Sequence, residues 1–586
     1  MSRGPGSGSP AAPLGHAPRG SLWMEYAPGP ARPSPDGPVE TEVAVVGGGI
    51  AGLCTAWEVA RAGHPVVLLE ADRIAAGVTG HTSAKLSALH GLAYASIASV
   101  HGARGARLYA HSQQLAVERV AGVCEELGID CDLERLPAYT YTEDPAKTGE
   151  LRAEAEAARA AGLPASYVTE VPLPFPVAGA VRMEDQAQFH PRKFLLALAA
   201  DLERLGGVIF ERTGVTGLRE GTPCELTASG AHGTHPVRAR DVVVATHYPV
   251  FDRSLLFTRL EPKRELVVAG PLPAGRGPDG MFLTPEGGTR SVRTAPAGGP
   301  GGDGSGPGDG EGGPGGGRRT LVVTGEKFTP GTEADGEVGE RYERLTAWAR
   351  ERFGLEPTHR WATQDNWTTD HVPHVGRLHI GARHTYVATG FGGWGMSGGV
   401  MAGALLAARI RGREPAWTGL YDPVRLHPVR EAPAMLRLQA QVAKHFVGDR
   451  VTGGHADAPG DVPPGGGAVV RVGGRRLAVH RDESGVLHTV SARCTHLGCL
   501  VHFNDGECAW ECPCHGSRFD VDGTVLQGPA VRALEQVGLT EAPAADTATG
   551  GAEGTDGTSG TDRTDGPDGP SAPGTADGSS GPAEER

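Results

Sequence analysis

The chain has 586 residues, room for two or three globular domains, with 39% hydrophobic residues, 90 glycines and 46 prolines. The formal net charge is −14, and ten acidic residues against two arginines in the last 46 residues account for −8 of it. No Lys/Arg run marks a nucleic-acid face and no apolar run reaches the ~18 residues of a membrane helix, so neither nucleic acid nor membrane insertion is expected. No apolar h-region follows Arg3, which makes a cytoplasmic location the default expectation. Thiols stay mostly reduced there, so clustered cysteines read as ligands before they read as a disulfide framework.

Residues 1–40 are rich in Gly, Pro and Ser and read as a disordered arm. From Thr41, "TEVAVVGGGIAGLCTAWEVARAGHPVVLLEAD" reads as a strand, a Gly turn, a helix with Ile50, Leu53, Trp57 and Ala60 on one face, and a second strand. Gly47, Gly49 and Gly52 form G-x-G-x-x-G between strand and helix. The first makes the turn, the second lets a pyrophosphate approach the backbone, and the third lets helix and strand pack closely. The helix N-terminus then faces the phosphates. Glu70 ends the next strand, 18 residues after Gly52, where an acid binds ribose hydroxyls. This constellation predicts dinucleotide binding.

Helical signals recur at 105–128, 149–162, 192–205 and 337–353. Strand-like runs lie between them at Val242–Ala245, Glu265–Ala269, Thr320–Thr324 and Thr385–Ala388, an order that predicts an α/β domain with a second sheet. Residues 296–317 are of low complexity and read as a long hairpin loop between two strands. Gly390, Gly392 and Gly395 make a second G-x-G-x-x-G, but no acid follows at a strand end about 20 residues on, which argues against a second, NAD-binding unit. A Pro-broken helical stretch between Asp422 and Asp461 marks a boundary, with a linker over 426–464. Short strands and turns dominate from Ala468 to about Leu539, and 541–586 reads as a disordered acidic tail.

Residues 493–520 hold five of the nine cysteines and three histidines. The pattern is Cys494-x-His496, then 15 residues, then Cys512-x-x-His515. Two Cys and two His can bind zinc, although zinc sites favour Cys pairs and His pairs. One Cys and one His from each loop suits a two-iron cluster with two Cys on one iron and two His on the other.

The strings "VAVVGGGIAGL", "GVTGHTSAKLSALHG", "AQFHPRKFL", "VVVATH", "NWTTDHVPHVG" and "ATGFGGWGMSGGVMAG" resemble the flavin-dependent D-amino-acid oxidase and sarcosine oxidase superfamily over roughly 41–425. The resemblance implies FAD, with Gly47, Gly49, Gly52 and Glu70 on its ADP half and Val215 touching the adenine through its backbone. The loop with Gly77, Thr79, His81, Thr82 and Ser83 would run under the isoalloxazine. Gly392, Gly393, Trp394, Gly395 and Met396 would approach the pyrimidine edge, with the positive end of a helix starting near Ser397 stabilising the reduced ring. The "GVTGH" string is similar to the G-S-T-W-H string that carries a covalently bound flavin in dimethylglycine and sarcosine dehydrogenases. His81 is therefore either such an attachment point or a loop histidine hydrogen-bonded near the flavin. His247, at the usual Gly of an "ATG" strand end, and Arg264, on the sheet over the ring, are the candidates for substrate contact; for each, a role in loop packing is the alternative.

"CTHLGC" with "CPCHGS" resembles the respiratory Rieske protein over roughly 465–540. The resemblance implies a [2Fe-2S] cluster on Cys494, His496, Cys512 and His515, and a disulfide between Cys499 and Cys514 clamping the two loops. Cys508 is left as a free thiol. Ser517 is kept, but Phe519 stands where that family has a Tyr that donates to a cysteine sulfur, so the potential is expected to be lower.

A bacterial family joins an N-terminal flavin domain of this kind to a C-terminal Rieske domain. Its members carry strings similar to "SLWM" and "VAKHFVGDR", which occur here at 21–24 and 442–450. The expected fold is an α/β Rossmann-type FAD domain with an interleaved α+β substrate domain, plus a small all-β Rieske domain. The expected activity is oxidation of a small substrate, an amine or amino acid, by hydride transfer to FAD, with single electrons passing through the cluster to an unidentified one-electron acceptor. A non-catalytic redox sensor or electron carrier, and a reductase running electrons from cluster to flavin, are the alternatives. A Rieske oxygenase would need a two-His, one-carboxylate iron site in a further domain, and only the tail follows the cluster.

Overall fold

The computed structural model describes residues 20–538 apart from 252–253, 273–276, 286–287, 299–317, 335 and 449–457. Residues 1–19 of the expected arm, 299–317 of the Gly-rich loop and the acidic tail lie outside the described residues.

Strand Val39–Val46 pairs in parallel with Gly233–Val244 on one side and Val66–Leu69 on the other. Thr385–Thr389 and Val208–Phe210 extend the sheet in parallel. Residues 43–46 and 66–69 are buried throughout, as unbroken apolar runs require when helices cover both faces. Helix Ile50–Arg61 leaves the Gly turn and packs on helix Gly395–Ile410. Their backbones come so close that a Cβ on Gly403 would lie 2.5 Å from the Cys54 Cβ. The small residues of "GMSGGVMAGALLAARI" are what allow this approach.

A second sheet runs in the order His359–Thr368, Leu260–Pro271, Arg319–Phe328, Arg290–Pro296, Met281–Leu283, Glu134–Thr142, Gly179–Gln188, Lys85–Leu86. Its strands come from segments interleaved with those of the first sheet, and helix Glu337–Phe353 packs its apolar face on it. Pro296 pairs with Arg319, so the Gly-rich segment joins two antiparallel neighbours. The C-terminal domain is all-β. It consists of a three-stranded sheet (Gly467–Val472, Arg475–Arg481, Leu487–Ser491) and a four-stranded one (His502–Asn504, Ala509–Glu511, Arg518–Phe519, Val525–Gln527). Among the described residues no helix is long and apolar enough to cross a membrane.

One expectation needs correction here. Residues 20–40 are not a disordered arm. Ser21 caps a short helix, Leu22–Tyr26, and Leu22 and Trp23 are each 1% exposed, packed with Ala84, Val267 and Trp361. The Trp23 indole donates to the Thr82 carbonyl at 2.7 Å, and Arg192 donates to the carbonyls of Ala27 and Pro28. Composition alone pointed the other way; two large apolar side chains entering the core outweigh the ordering cost of the Gly/Pro stretch. The helical stretch expected in the linker is helix Pro428–Ala443, started by Pro428 at its first turn and running on through Pro433.

Truncating Trp23 to Ala removes a fully buried aromatic, a loss of about 3–5 kcal/mol. A lower unfolding midpoint and faster flavin release on heating are expected in Trp23→Ala. An unchanged midpoint would mean that the segment is not packed as described.

Candidate functional site

The Gly turn is stereochemically closed to side chains. Gly47 has φ +106°, and a Cβ there would sit 2.4 Å from the Ala245 carbonyl oxygen; a Cβ on Gly52 would sit 1.9 Å from the Gly47 oxygen. Gly49 caps helix Ile50–Arg61 with no side-chain acceptor of its own. The Ile50 N–H is met from outside by the Thr79 hydroxyl at 3.1 Å, which brings the 77–83 loop to the helix N-terminus. Glu70 accepts from the Gly48 N–H at 2.6 Å and the Asp72 N–H at 2.9 Å, and burial pushes its carboxyl up. Thr213 N–H donates to the Glu70 carbonyl at 2.8 Å, which sets the strand with buried Val215 beside the same corner. A turn closed to a Cβ at Gly47 and Gly52, a helix N-terminus directly after it and an acid at the strand end fit a dinucleotide.

The 77–83 loop is braced from three sides. His81 places Nδ1 3.0 Å from the Ala76 carbonyl and 2.9 Å from the Gly77 carbonyl, and burial lowers its pKa. The Trp361 indole donates to the His81 carbonyl at 2.8 Å, and buried Arg293 donates to the carbonyls of Ser83 and Ala84. Lys85 follows, buried, with Nζ on the Phe282 carbonyl and the Ser291 hydroxyl; burial and then Arg293 bring its pKa down to about 7. The glycine loop before helix Gly395–Ile410 is held by the first strand of the second sheet. Gly392 N–H donates to the Asn366 carbonyl at 3.0 Å and Gly393 N–H to the Asp365 carboxylate at 2.6 Å. Trp394 stacks on His90 at 4.3 Å, and burial pushes His90 down to about 3, so it stays neutral. Met396 is buried in the first turn of the helix.

In the C-terminal domain, the neighbouring Cys512 thiol lowers the pKa of Cys494, while Cys494 and burial raise that of Cys512. The rings of His496 and His515 lie 5.0 Å apart. Hydrogen bonds to the Cys494 sulfur come from the His496 and Leu497 amides and the Ser517 hydroxyl, and to Cys512 from the Cys514 and His515 amides. Both ring nitrogens of His515 are buried and have no hydrogen-bond partner among the described residues. Two sulfurs supplied with donors and a buried histidine with idle nitrogens fit a metal cluster on Cys494, His496, Cys512 and His515. Cys499 and Cys514 are joined by a disulfide next to it.

The two sites meet across one seam. Tyr248 and Phe257 of the N-terminal part pack edge-on against His515 at 6.2 and 5.7 Å, and Tyr248 also faces His496 at 6.5 Å. Gln364 Nε2 donates to the Gly516 carbonyl at 3.0 Å. Both residues proposed for substrate contact land here. Arg264 is 1% exposed and bonds Glu507 and Glu511 of the C-terminal domain, which Arg518 bonds from the other side. It therefore joins the domains, the packing role that was the alternative to substrate contact. His247 lies 3.3 Å from Asp365 and 3.4 Å from Gln527 of the C-terminal domain. Its φ of +64° explains why the superfamily has Gly at this position: His here sits in the left-handed region. Its neighbours hold it there, as Thr389 donates to its carbonyl at 2.5 Å. Gln364, Asp365, Tyr248, Glu507 and Arg518 were not picked out from the sequence. They share no spacing or motif, and only docking brings them together.

Comparison with known proteins follows this division. Residues 42–409 match the family model "FAD dependent oxidoreductase" and residues 455–538 match "Rieske [2Fe-2S] domain". The Bacillus subtilis (strain 168) protein YhfW, described as a Rieske 2Fe-2S iron-sulfur protein, is 32% identical over 527 residues, 89% of this chain and 97% of its own. The cytochrome b6-f complex iron-sulfur subunit of Synechococcus sp. (strain JA-3-3Ab) is 53% identical over 51 residues, 9% of this chain and 30% of its own. Two solved structures share the flavin-domain fold. L-proline dehydrogenase from P. horikoshii has a TM-score of 0.53 at 19% identity, covering 66% of this chain and 98% of that one. Glycine oxidase from Geobacillus kaustophilus has a TM-score of 0.50 at 20% identity, covering 64% and 96%.

Two outcomes are expected. Ser517→Ala removes a donor from a ligand sulfur and should lower the cluster midpoint by a few tens of millivolts, the equivalent of a hydrogen bond of about 1 kcal/mol. Phe519→Tyr adds a hydroxyl in the core around the cysteines and should raise it; redox titration followed by EPR measures both. At the seam, burial opposes ionisation of Glu507, but Arg264 and Arg518 override it and hold the carboxyl below its usual range. Its contribution to docking is thus present above the ordinary glutamate range and lost as pH falls below about 4. Arg264→Met leaves the two glutamates with a single arginine, a loss of about 3–5 kcal/mol. Faster proteolysis between the domains and a lower unfolding midpoint should follow, and wild-type behaviour would refute this role.

Proposed function

The chain belongs to the FAD dependent oxidoreductase family and carries a Rieske [2Fe-2S] domain at its C-terminal end, and from this we propose that it oxidises a small amine or amino acid and releases the electrons one at a time. FAD supplies a two-electron acceptor for a hydride, and the [2Fe-2S] cluster supplies a one-electron carrier. The substrate class rests on the amino acid oxidases and dehydrogenases that share the fold. The proposed division is an oxidoreductase part at 41–425 and a cluster part at 465–540.

The residues divide as follows. Gly47, Gly49, Gly52 and Glu70 hold the ADP half of FAD, with Val215 beside the adenine. Gly77, Thr79, His81, Thr82 and Ser83 line the ring on one side and residues 392–396 on the other. Cys494, His496, Cys512 and His515 hold the cluster. Lys85, buried and close to neutral at physiological pH, is the basic group nearest the 77–83 loop in sequence. Docked against Tyr248 and Phe257, His515 is 2% exposed and kept from water.

The observation that carries the coupling is strand His359–Thr368. Asp365 and Asn366 hold Gly393 and Gly392, and the adjoining Gln364 holds Gly516, the neighbour of His515. Three consecutive residues thus connect the flavin loop to a cluster ligand loop.

Anaerobic addition of small amines and amino acids should bleach the flavin and then produce the EPR signal of a reduced mixed Cys/His cluster. His515→Ala should keep the bleaching and lose the EPR signal. Reduction by nicotinamide cofactors and by no amine would sink the substrate class. A bleached flavin beside a cluster that stays oxidised would sink the coupling.

A further inference from the structure

The docked cluster domain has two unlike faces. Toward the flavin part it presents Glu507, Glu511 and the histidine ligands, all engaged. Its other side is basic. Arg493 immediately precedes ligand Cys494 and lies over the same loop, since a Cβ on Gly498 would be 2.9 Å from its Nε. Thr495 donates to the Arg532 carbonyl at 2.5 Å, which seats residues 531–532 against that loop. Ala492 N–H donates to the Arg476 carbonyl at 3.1 Å, and Arg471 is the cross-strand partner of Arg476. The basic residues therefore continue from the loop onto the neighbouring hairpin.

Arg493 and Arg532 are exposed and have no ion-pair partner among the described residues. The nearby acids are already taken, Glu535 by Arg475 at 2.9 Å and Asp522 by His488 at 2.8 Å. On the same two segments lie Leu497, next to His496 and 50% exposed, and Val531, 40% exposed. Either alone would be unremarkable on a surface. Together they offer an apolar centre with a cationic rim on the cluster loop that, among the described residues, reaches solvent, in a chain whose formal charge is −14.

We propose that this surface of Leu497, Val531, Arg493 and Arg532 is the docking surface for a one-electron carrier protein with an acidic face. The proposal rests on the reading of the cluster as the exit for electrons and adds where they leave and to what kind of partner. In the docked arrangement the histidine edge faces Tyr248 and Phe257, so a partner reaches the cluster from the Leu497 side. Complementary charge raises the encounter rate and orients a small, short-lived interface, which suits electron transfer in a complex of under about 1,200 Å².

The test uses the full-length holoprotein and two probes, an acidic plant-type [2Fe-2S] ferredoxin and basic cytochrome c. Calorimetric titration at low salt should give measurable affinity for the ferredoxin and none for cytochrome c. Raising salt to about 0.5 M, where the Debye length falls to a few ångströms, should weaken binding at least about tenfold. Arg493→Glu/Arg532→Glu should weaken it to a similar degree. Arg532→Glu alone, on a segment separate from the ligand loops, should do so in part with the cluster EPR spectrum unchanged. Ferredoxin binding that is absent, salt-independent or equal in the double variant overturns the proposal, as does tighter binding of cytochrome c. EPR of the substrate-reduced protein without probe separates this from the underlying reading: a cluster that is never reduced defeats the reading, whereas a reduced cluster with unaltered ferredoxin binding in the variants defeats only the surface.

Discussion

Four charges at the seam, Arg264 and Glu511 buried and Glu507 and Arg518 half-buried, bind the two halves of the molecule into one unit. Arg264 comes from the second sheet of the flavin part, and Glu507, Glu511 and Arg518 come from the cluster domain. Alone, the cluster domain would present its two carboxylates with only Arg518 to balance them, and the flavin part would present a cation in an otherwise packed strand. Either charge is costly away from water without its partner. Docking satisfies both, and it does so in one register because the guanidinium contacts are directional.

That register decides what the cluster loops face. With Arg264 in place, Gly516 comes to Gln364 and His515 comes to Tyr248 and Phe257. A Cβ at Gly516 would fall 2.5 Å from the Gln364 amide nitrogen, and one at Gly331 would fall 2.8 Å from the Glu511 carbonyl oxygen. Glycine at both positions is what lets the two backbones close. The strand that carries Gln364 also braces the glycine loop of the flavin part, so the distance between the two loops is set by a single rigid element and not by the covalent connection between domains. Placement on a strand restricts the relative motion of the loops more than a tether could.

The two redox sites were legible in the sequence for the same reason. Each is built from residues close together in the chain under strict local geometry. The Gly47–Gly52 turn needs conformations and clearances that side chains forbid, and the C-x-H and C-x-x-H loops bring ligands together within a few residues. The helix at 337–353 and the strands at 242–245 and 385–388 were visible through the same local periodicity. The Leu22–Tyr26 helix was not visible, since two buried side chains in a Gly/Pro-rich stretch give no period to read.

The sequence by itself determined the glycine turn, the paired Cys/His loops, the interleaved α/β order and the all-β character of the C-terminal part, because these follow from short-range spacing and backbone chemistry. Only the tertiary structure decided what His247 and Arg264 do. Both were candidates for substrate contact, with loop packing as the alternative, and both meet the cluster domain, at Gln527 and at Glu507 and Glu511. Their partners lie 280, 243 and 247 positions further along the chain, and no local pattern encodes a pairing at that separation. Such a pairing arises when two folded surfaces exclude water from charges that neither surface can neutralise by itself.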